Sequence, residues 1–317
     1  MYTNGKSVIM RNLKEPHIAM EYTEHTSQAT VASISPSGYY VASGDVQGNI
    51  RIWDATQSSH ILKYQGKVIS GRINDISWDF ESKRLLAVGQ GKERFGHVFM
   101  FDSGSSVGEI SGHSKAITAC SMRPCRPARA VTCSDDFTVN FYHGAPYKFA
   151  LSITDHSRFV HNVKFSPNGQ FFASVGADGK IFLYDGSTGA KVKELSGHKG
   201  GIFSVNWSPD STKISTASGD STVKVWDIES CAIVNDFDFG ASVDEQQVGL
   251  VWTPSSWLVS CSLNGNLNYL DATSGKVTKV LHGHSRGITA LCVADDNETF
   301  YTGSYDGKIR NNLLICS

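Results

Sequence analysis

The sequence predicts an all-β chain folded as a seven-bladed β-propeller with four-stranded antiparallel blades. Three observations carry this prediction. Histidines that precede strand-like segments stand at His25, His113, His156, His198 and His284, at intervals of 88, 43, 42 and 86 residues. Those intervals are two periods, one, one and two of about 43, the length of a four-stranded blade. Each period then repeats one order of apolar runs and turn signals. Glycine is frequent, 30 of 317 residues against 8 prolines, as many tight turns between strands require.

Composition narrows the class. Hydrophobic residues make up 40% of the chain, enough for a sizeable core. Lys and Arg number 29 against 30 Asp and Glu, a net charge of −1, which argues against a nucleic-acid partner. No run approaches 18 apolar residues, so no membrane helix is predicted. The opening MYTNGKSVIMRNLKEPH lacks the apolar core of a signal peptide. Seven cysteines occur without a C-x-x-C pair. Neither a disulfide scaffold nor a zinc site is expected, and a reducing cytoplasm fits.

The elements follow in order. Residues 1–24 form a leader. Within it, residues 2–9 read as a strand, an Asn-Gly turn and a strand, and 17–22 (HIAMEY) as a further strand. Residues 25–317 hold the seven repeats. The fifth is the clearest. Residues 202–207 alternate as a half-buried strand does, Ser208-Pro209-Asp210-Ser211 turns the chain, and 213–218 form a second strand. Gly219-Asp220-Ser221 turns it again, 223–227 end in Trp-Asp, and 232–237 supply an outer strand. Repeats one to six each have residues for such an outer strand. In the seventh, Gly307-Lys308-Ile309-Arg310 runs into NNLLICS instead of a Trp-Asp, so the last blade is expected to be truncated. We expect 17–22 to close the ring by pairing onto its third strand near Ile309.

These residues resemble WD repeats, whose blades carry a chain of four hydrogen-bonded side chains. By resemblance the full set is His198, Thr216, Asp220 and Trp226. Two blades keep it with Tyr for Trp: His113, Thr132, Asp136 and Tyr142, then His156, Ser174, Asp178 and Tyr184. The first has His25, Ser43 and Trp53 but Gln47 for Asp; the seventh has His284, Thr302 and Asp306 but Asn312 for the aromatic residue. The second and sixth lack the histidine. Because a half-satisfied polar network is unstable, the incomplete blades are expected to rely on apolar packing.

Several stretches extend the likeness into loops: YTEHTSQATVASISPSGYYVASGDVQGNIRIWD, KRLLAVGQGKERFGHVFMFDSGSSVGEISGH, APYKFALSITDHSRFVHNVKFSPNG and DEQQVGLVW. Through them the chain resembles the actin-interacting protein one family, in particular its N-terminal propeller. The resemblance implies a chain of about twice this length with two propellers. It also implies binding to actin filaments and cooperation with cofilin in their disassembly, without catalysis. The implied contact residues are Glu93, Asp135, Lys148, Phe149 and Phe159. Actin's surface is acidic, so basic groups such as Lys148 and Arg158 would favour orientation.

Competing readings are weaker. Gly89-Gln90-Gly91 with Gly96 is followed by no helix pattern, and Asn4-Gly5-Lys6-Ser7 lacks the upstream glycine of a phosphate loop. The recurring His, Ser/Thr and Asp could be taken for a hydrolase triad, but an enzyme needs one special site, not a copy per blade. No enzyme activity, cofactor or metal is expected. A monomeric cytoplasmic protein of the actin cytoskeleton is expected, with no nucleic-acid or membrane partner. The alternative is a generic WD scaffold in a multiprotein complex, since fold alone does not fix function.

Overall fold

The computed structural model describes residues 2–11, 19–57, 59–253, 257–282, 288–293, 299–304 and 309–313; for residues 2, 4, 9–11, 19, 20 and those beyond 282 it describes the backbone alone. The N-terminal strands are β1 (Tyr2–Asn4), β2 (Ser7–Arg11) and β3 (Ala19–Tyr22). Blade one is β4 (Ala29–Ile34), β5 (Tyr40–Asp45), β6 (Asn49–Asp54) and β7 (Leu62–Lys67). Blade two is β8 (Ile73–Trp78), β9 (Arg84–Gly89), β10 (Gly96–Met100) and β11 (Ser106–Glu109). Blade three is β12 (Ile117–Met122), β13 (Arg129–Ser134), β14 (Val139–His143) and β15 (Lys148–Ile153). Blade four is β16 (Val160–Phe165), β17 (Phe171–Gly176), β18 (Lys180–Asp185) and β19 (Lys191–Ser196). Blade five is β20 (Ile202–Trp207), β21 (Lys213–Ser218), β22 (Thr222–Asp227) and β23 (Ile233–Asp238). Blade six is β24 (Gln247–Trp252), β25 (Trp257–Ser262), β26 (Asn266–Asp271) and β27 (Lys276–His282). Among the described residues blade seven shows three strands, β28 (Ile288–Val293), β29 (Thr299–Ser304) and β30 (Ile309–Leu313).

The chain from Ala29 onward is a seven-bladed β-propeller of successive antiparallel sheets, the first six of them four-stranded. The outer strands expected for repeats one to six are all present. Among the described residues the one helical element is a 3-10 turn, Val243–Glu245. The second and third strands of a blade are covered on both faces by its neighbours. They therefore bury nearly every residue, as in Phe171–Gly176, whereas the outer strand Lys191–Ser196 is largely exposed. The apolar clusters lie between consecutive blades. One joins Val139 and Phe141 to Val163, Phe172 and Tyr184; another joins Leu183 and Ile181 to Val205, Trp207 and Trp226.

Strict alternation fails on the inner strands. In Ile202–Trp207, Ile202, Val205 and Trp207 are buried, because the register shifts between Ile202 and Ser204. The same shift occurs in blade one between Ala29 and Val31 and in blade four between Val160 and Asn162. An extra residue there re-phases which side chains meet the neighbouring blade. A second shift recurs on the third strand, at Trp53, Tyr142, Tyr184 and Trp226.

One expectation is corrected. Residues 19–22 of the HIAMEY stretch do form a strand, β3, but it pairs with β2, with Val8 opposite Tyr22 and Arg11 opposite Ala19. It does not pair with β30, whose described partner is β29. The leader is thus a separate three-stranded sheet in the order β1-β2-β3. Its strand β1 lies against both β4 and β29, at the seam between the first and last blades, and Ala29 N–H donates to Gly5 O at 2.8 Å. Two effects favour this pairing. The loop to be closed is short, and the register places Val8 and Tyr22 in one buried cluster with Ala29, Val41 and Trp53.

Candidate protein-interaction surface

The buried polar chains come first, because they fix the loops that carry the surface. In blade five, His198 Nε2 meets Thr216 Oγ1 at 2.7 Å and its Nδ1 meets Asp220 Oδ2 at 3.0 Å. Trp226 Nε1 donates to Thr216 Oγ1 at 2.9 Å, completing the expected set. In blade three, His113 bonds Thr132 at 2.7 Å and Asp136 at 3.0 Å. In blade four, His156 bonds Ser174 at 2.8 Å and Asp178 at 2.9 Å. Tyrosine changes the last link. Tyr142 OH donates to Ser111 O at 2.7 Å, while its distance to Thr132 Oγ1 is 3.5 Å; Tyr184 OH donates to Asp155 at 3.3 Å.

Burial opposes ionisation of Asp136, Asp178 and Asp220. Hydrogen bonds from the facing histidine and from backbone N–H groups outweigh it and hold each carboxyl below its ordinary value. Each aspartate also receives a backbone N–H from the blade connection, that of Ser114 at 2.8 Å, Ser157 at 3.1 Å and Lys199 at 2.8 Å. The network thereby ties the turn after the second strand to the connection entering the blade.

Blade one is different. His25 Nε2 meets Ser43 Oγ at 2.7 Å, and Gln47 does stand at the aspartate position. Its N–H donates to Asp45, and that carboxylate lies 3.9 Å from His25 Nδ1. Among the described residues His25 Nδ1 and Trp53 Nε1 have no hydrogen-bond partner. Instead Trp53 is stacked by Tyr22 of the N-terminal sheet, ring centroids 4.5 Å apart.

Blade six, which lacks the histidine, has buried apolar packing through Leu250, Trp252, Leu258 and Leu270 and a polar set of its own beside it. Gln247 donates to Ser262 at 2.8 Å and accepts from Ser260 at 2.7 Å, and Asn268 Nδ2 reaches Ser262 at 3.0 Å. All four side chains are buried. The signal was a Gln, two Ser and an Asn at inward positions of one repeat. His284 and Asp306 lie outside the described residues, as do the side chains of Thr302 and Asn312.

The five expected contact residues fall in two places. In an antiparallel blade, the turn after the second strand and the connection after the fourth lie at the same end. Asp135 is half-buried in the β13–β14 turn, and Phe159 is 44% exposed just before β16. Glu93 is exposed in the corresponding β9–β10 loop of blade two, in a hollow of about 410 Å³ with Lys67, Ser70 and Lys92. Lys148 and Phe149 instead open β15 at its other end, opposite His143 and Tyr142. Phe149 is 44% exposed, meets Tyr142 edge-on at 6.1 Å, and its ring covers Gly112.

Two neighbours were not singled out from the sequence. Phe137 lies 5.4 Å from Phe159, ring to ring. Lys115 Nζ stands over both rings, at 5.5 and 5.8 Å, a cation on two aromatic faces. The available signal was Phe137 itself, an aromatic residue in a turn where other repeats carry Gly or Ser. Phe137, Phe159 and Lys115 form an exposed cluster at the junction of blades three and four, with half-buried Asp135 in the same turn as Phe137. Among the described residues Cys120, Cys125, Cys133, Cys231 and Cys261 are free thiols, and no helix is long and apolar enough to cross a membrane.

Comparison with known proteins adds to this geometry. The chain matches the WD domain, G-beta repeat, over residues 17–54, 104–143, 147–185, 189–227 and 275–310. It is 50% identical over 314 residues to Actin-interacting protein 1 of Drosophila melanogaster, covering 98% of this chain and 52% of that protein. Similarity to WD repeat-containing protein 1 of Xenopus tropicalis is 50% over 315 residues, with the same shares. For WD repeat-containing protein 1 of Bos taurus it is 51% over 297 residues, 92% of this chain and 49% of that one. The chain spans about half the length of these relatives, as the resemblance read from the sequence implied. With matched repeats over more than half of its residues and the propeller those repeats build, the chain belongs to the WD domain, G-beta repeat family.

Proposed function

We propose that this chain binds actin filaments and cooperates with cofilin to promote their disassembly, as a cytoplasmic, monomeric binding protein with no chemistry of its own. The observation that carries this reading is the half-identity, over almost the whole chain, to a relative named for its interaction with actin. The surface is suited to it. Phe159 and Phe149 are exposed aromatics beside Asp135 and Lys148, and a few such anchors supply most of the energy of a protein interface. Glu93, Asp135, Lys148, Phe149 and Phe159 are proposed as contact residues in two groups, one at the loop end of blades two to four and one on the outer strand of blade three.

Co-sedimentation with actin filaments tests this. The chain should pellet with filaments, more so when cofilin decorates them, and Phe159→Ala should lower the pelleted fraction with no loss of thermal stability. Absence of any cofilin effect would overturn the cofilin part. Absence of pelleting under both conditions would overturn the whole reading in favour of a scaffold with another partner.

A further inference from the structure

Blades one, three, four, five and six turn from their second to their third strand in the same way. The fourth residue of each turn donates its N–H to the carbonyl three residues back, at 3.0–3.3 Å. That residue has positive φ in every case: Gly48 at 84°, Phe137 at 73°, Gly179 at 72°, Ser221 at 65° and Gly265 at 86°. The strand registers confirm the equivalence, each lying two residues before the partner of the second strand's penultimate residue. Glycine is the ordinary solution there, because a Cβ crowds the left-handed backbone.

Where serine replaces glycine at such positions, its hydroxyl is used. Ser221 Oγ donates to Ser242 O at 3.2 Å. In the turns between first and second strands, Ser82 and Ser211 have φ of 56° and 63° where blades one and four have Gly38 and Gly169. Ser82 Oγ accepts from Ser37 N–H at 3.0 Å and Ser211 Oγ from Asn168 N–H at 3.1 Å, each joining adjacent blades. Phe137 has no hydroxyl with which to do this. Its ring is 38% exposed and sits beside Phe159 under Lys115. A bulky side chain is thus kept in a strained turn while remaining open to solvent, and strain retained at the surface points to function.

We propose that Phe137, flanked by Phe159 and Lys115, is an aromatic anchor of the filament-binding surface. The occupant is the actin filament, presenting an apolar side chain to the two rings and carboxylates to Lys115 and the exposed Arg158. This inference rests on the actin reading above and adds to it a contact that the resemblance did not supply.

The test is Phe137→Gly, measured for both thermal unfolding and filament co-sedimentation. Glycine relieves the turn, so the melting temperature should stay level or rise, while affinity for cofilin-decorated filaments falls about tenfold. Unchanged affinity beside a pelleting wild type would overturn the anchor and leave the actin reading standing. A sharp fall in melting temperature would overturn it as well, by making Phe137 a packing residue. A wild-type chain that does not pellet would overturn both.

Discussion

Blade five and blade one carry the same repeat and satisfy it differently. In blade five, four side chains bond in series, and Thr216 is the hub that accepts from Trp226 and faces His198. In blade one, Ser43 holds His25, but the carboxylate stands off and Trp53 Nε1 is unbonded among the described residues. Tyr22 and Val8, from outside the repeat, cover the tryptophan. Blade six offers a third solution, with amide and hydroxyl groups replacing the imidazole. A repeat motif therefore indicates where a blade must satisfy buried groups, and tertiary neighbours decide how.

The largest effect should come from removing the outside support. Deleting residues 1–24 uncovers Trp53 and loses the burial of Val8 and Tyr22, each worth about 1.5–3 kcal/mol. A sharp drop in melting temperature is expected in a thermal scan; an unchanged value would mean that blade one stands without the N-terminal sheet.

Cutting the networks themselves should have a smaller and unequal effect. Thr216→Val leaves both Trp226 Nε1 and His198 Nε2 without their partner. At about 1–2 kcal/mol for each orphaned group, a loss of roughly 2–4 kcal/mol is expected. Ser43→Ala leaves His25 Nε2 without its partner and removes a longer bond, 3.4 Å, to Arg51 O, and should cost about 1–2 kcal/mol. Chemical denaturation midpoints decide the matter, and equal losses would break the contrast between the two blades.

Mild acid should separate the blades most gently. Burial disfavours the charged imidazole of His25 more than Asp45 favours it, so its pKa lies below the ordinary value. The unfolded chain then takes up the proton first, and blade one loses stability as pH falls below about 6.5. In blade five, burial opposes the charge on Asp220, but bonds from His198 and Thr222 prevail and lower its pKa. That contribution is full above about pH 4 and is lost below it. Between pH 7 and 5, hydrogen exchange corrected for its intrinsic rate should quicken in Tyr40–Asp45 and stay constant in Lys213–Ser218. Equal behaviour in both strands would count against the assignment.

Much of the fold was legible in the chain. The spacing of His113, His156 and His198 located three successive blades, and Gly219-Asp220-Ser221 marked a turn where one stands. Three things were not legible, for physical reasons. The shifts at Ile202 and Trp226 come from packing between sheets, which no single strand records. The partner of HIAMEY depended on which edge was nearest, and a strand sequence does not name its neighbour. The left-handed backbone of Phe137, shared with Gly48, Gly179 and Gly265, is a property of the folded turn that an aromatic residue in the sequence does not announce.

The sequence by itself determined the number of blades, their order and the residues of the complete polar chains, because both a repeat period and a short-range turn are written locally. Tertiary structure alone decided that the leader forms its own sheet over Trp53, that Gln247 and Asn268 replace a histidine, and that Phe137 and Phe159 share one cation. Those outcomes depend on which surfaces meet when the sheets pack, and neighbours in space are not neighbours in the chain.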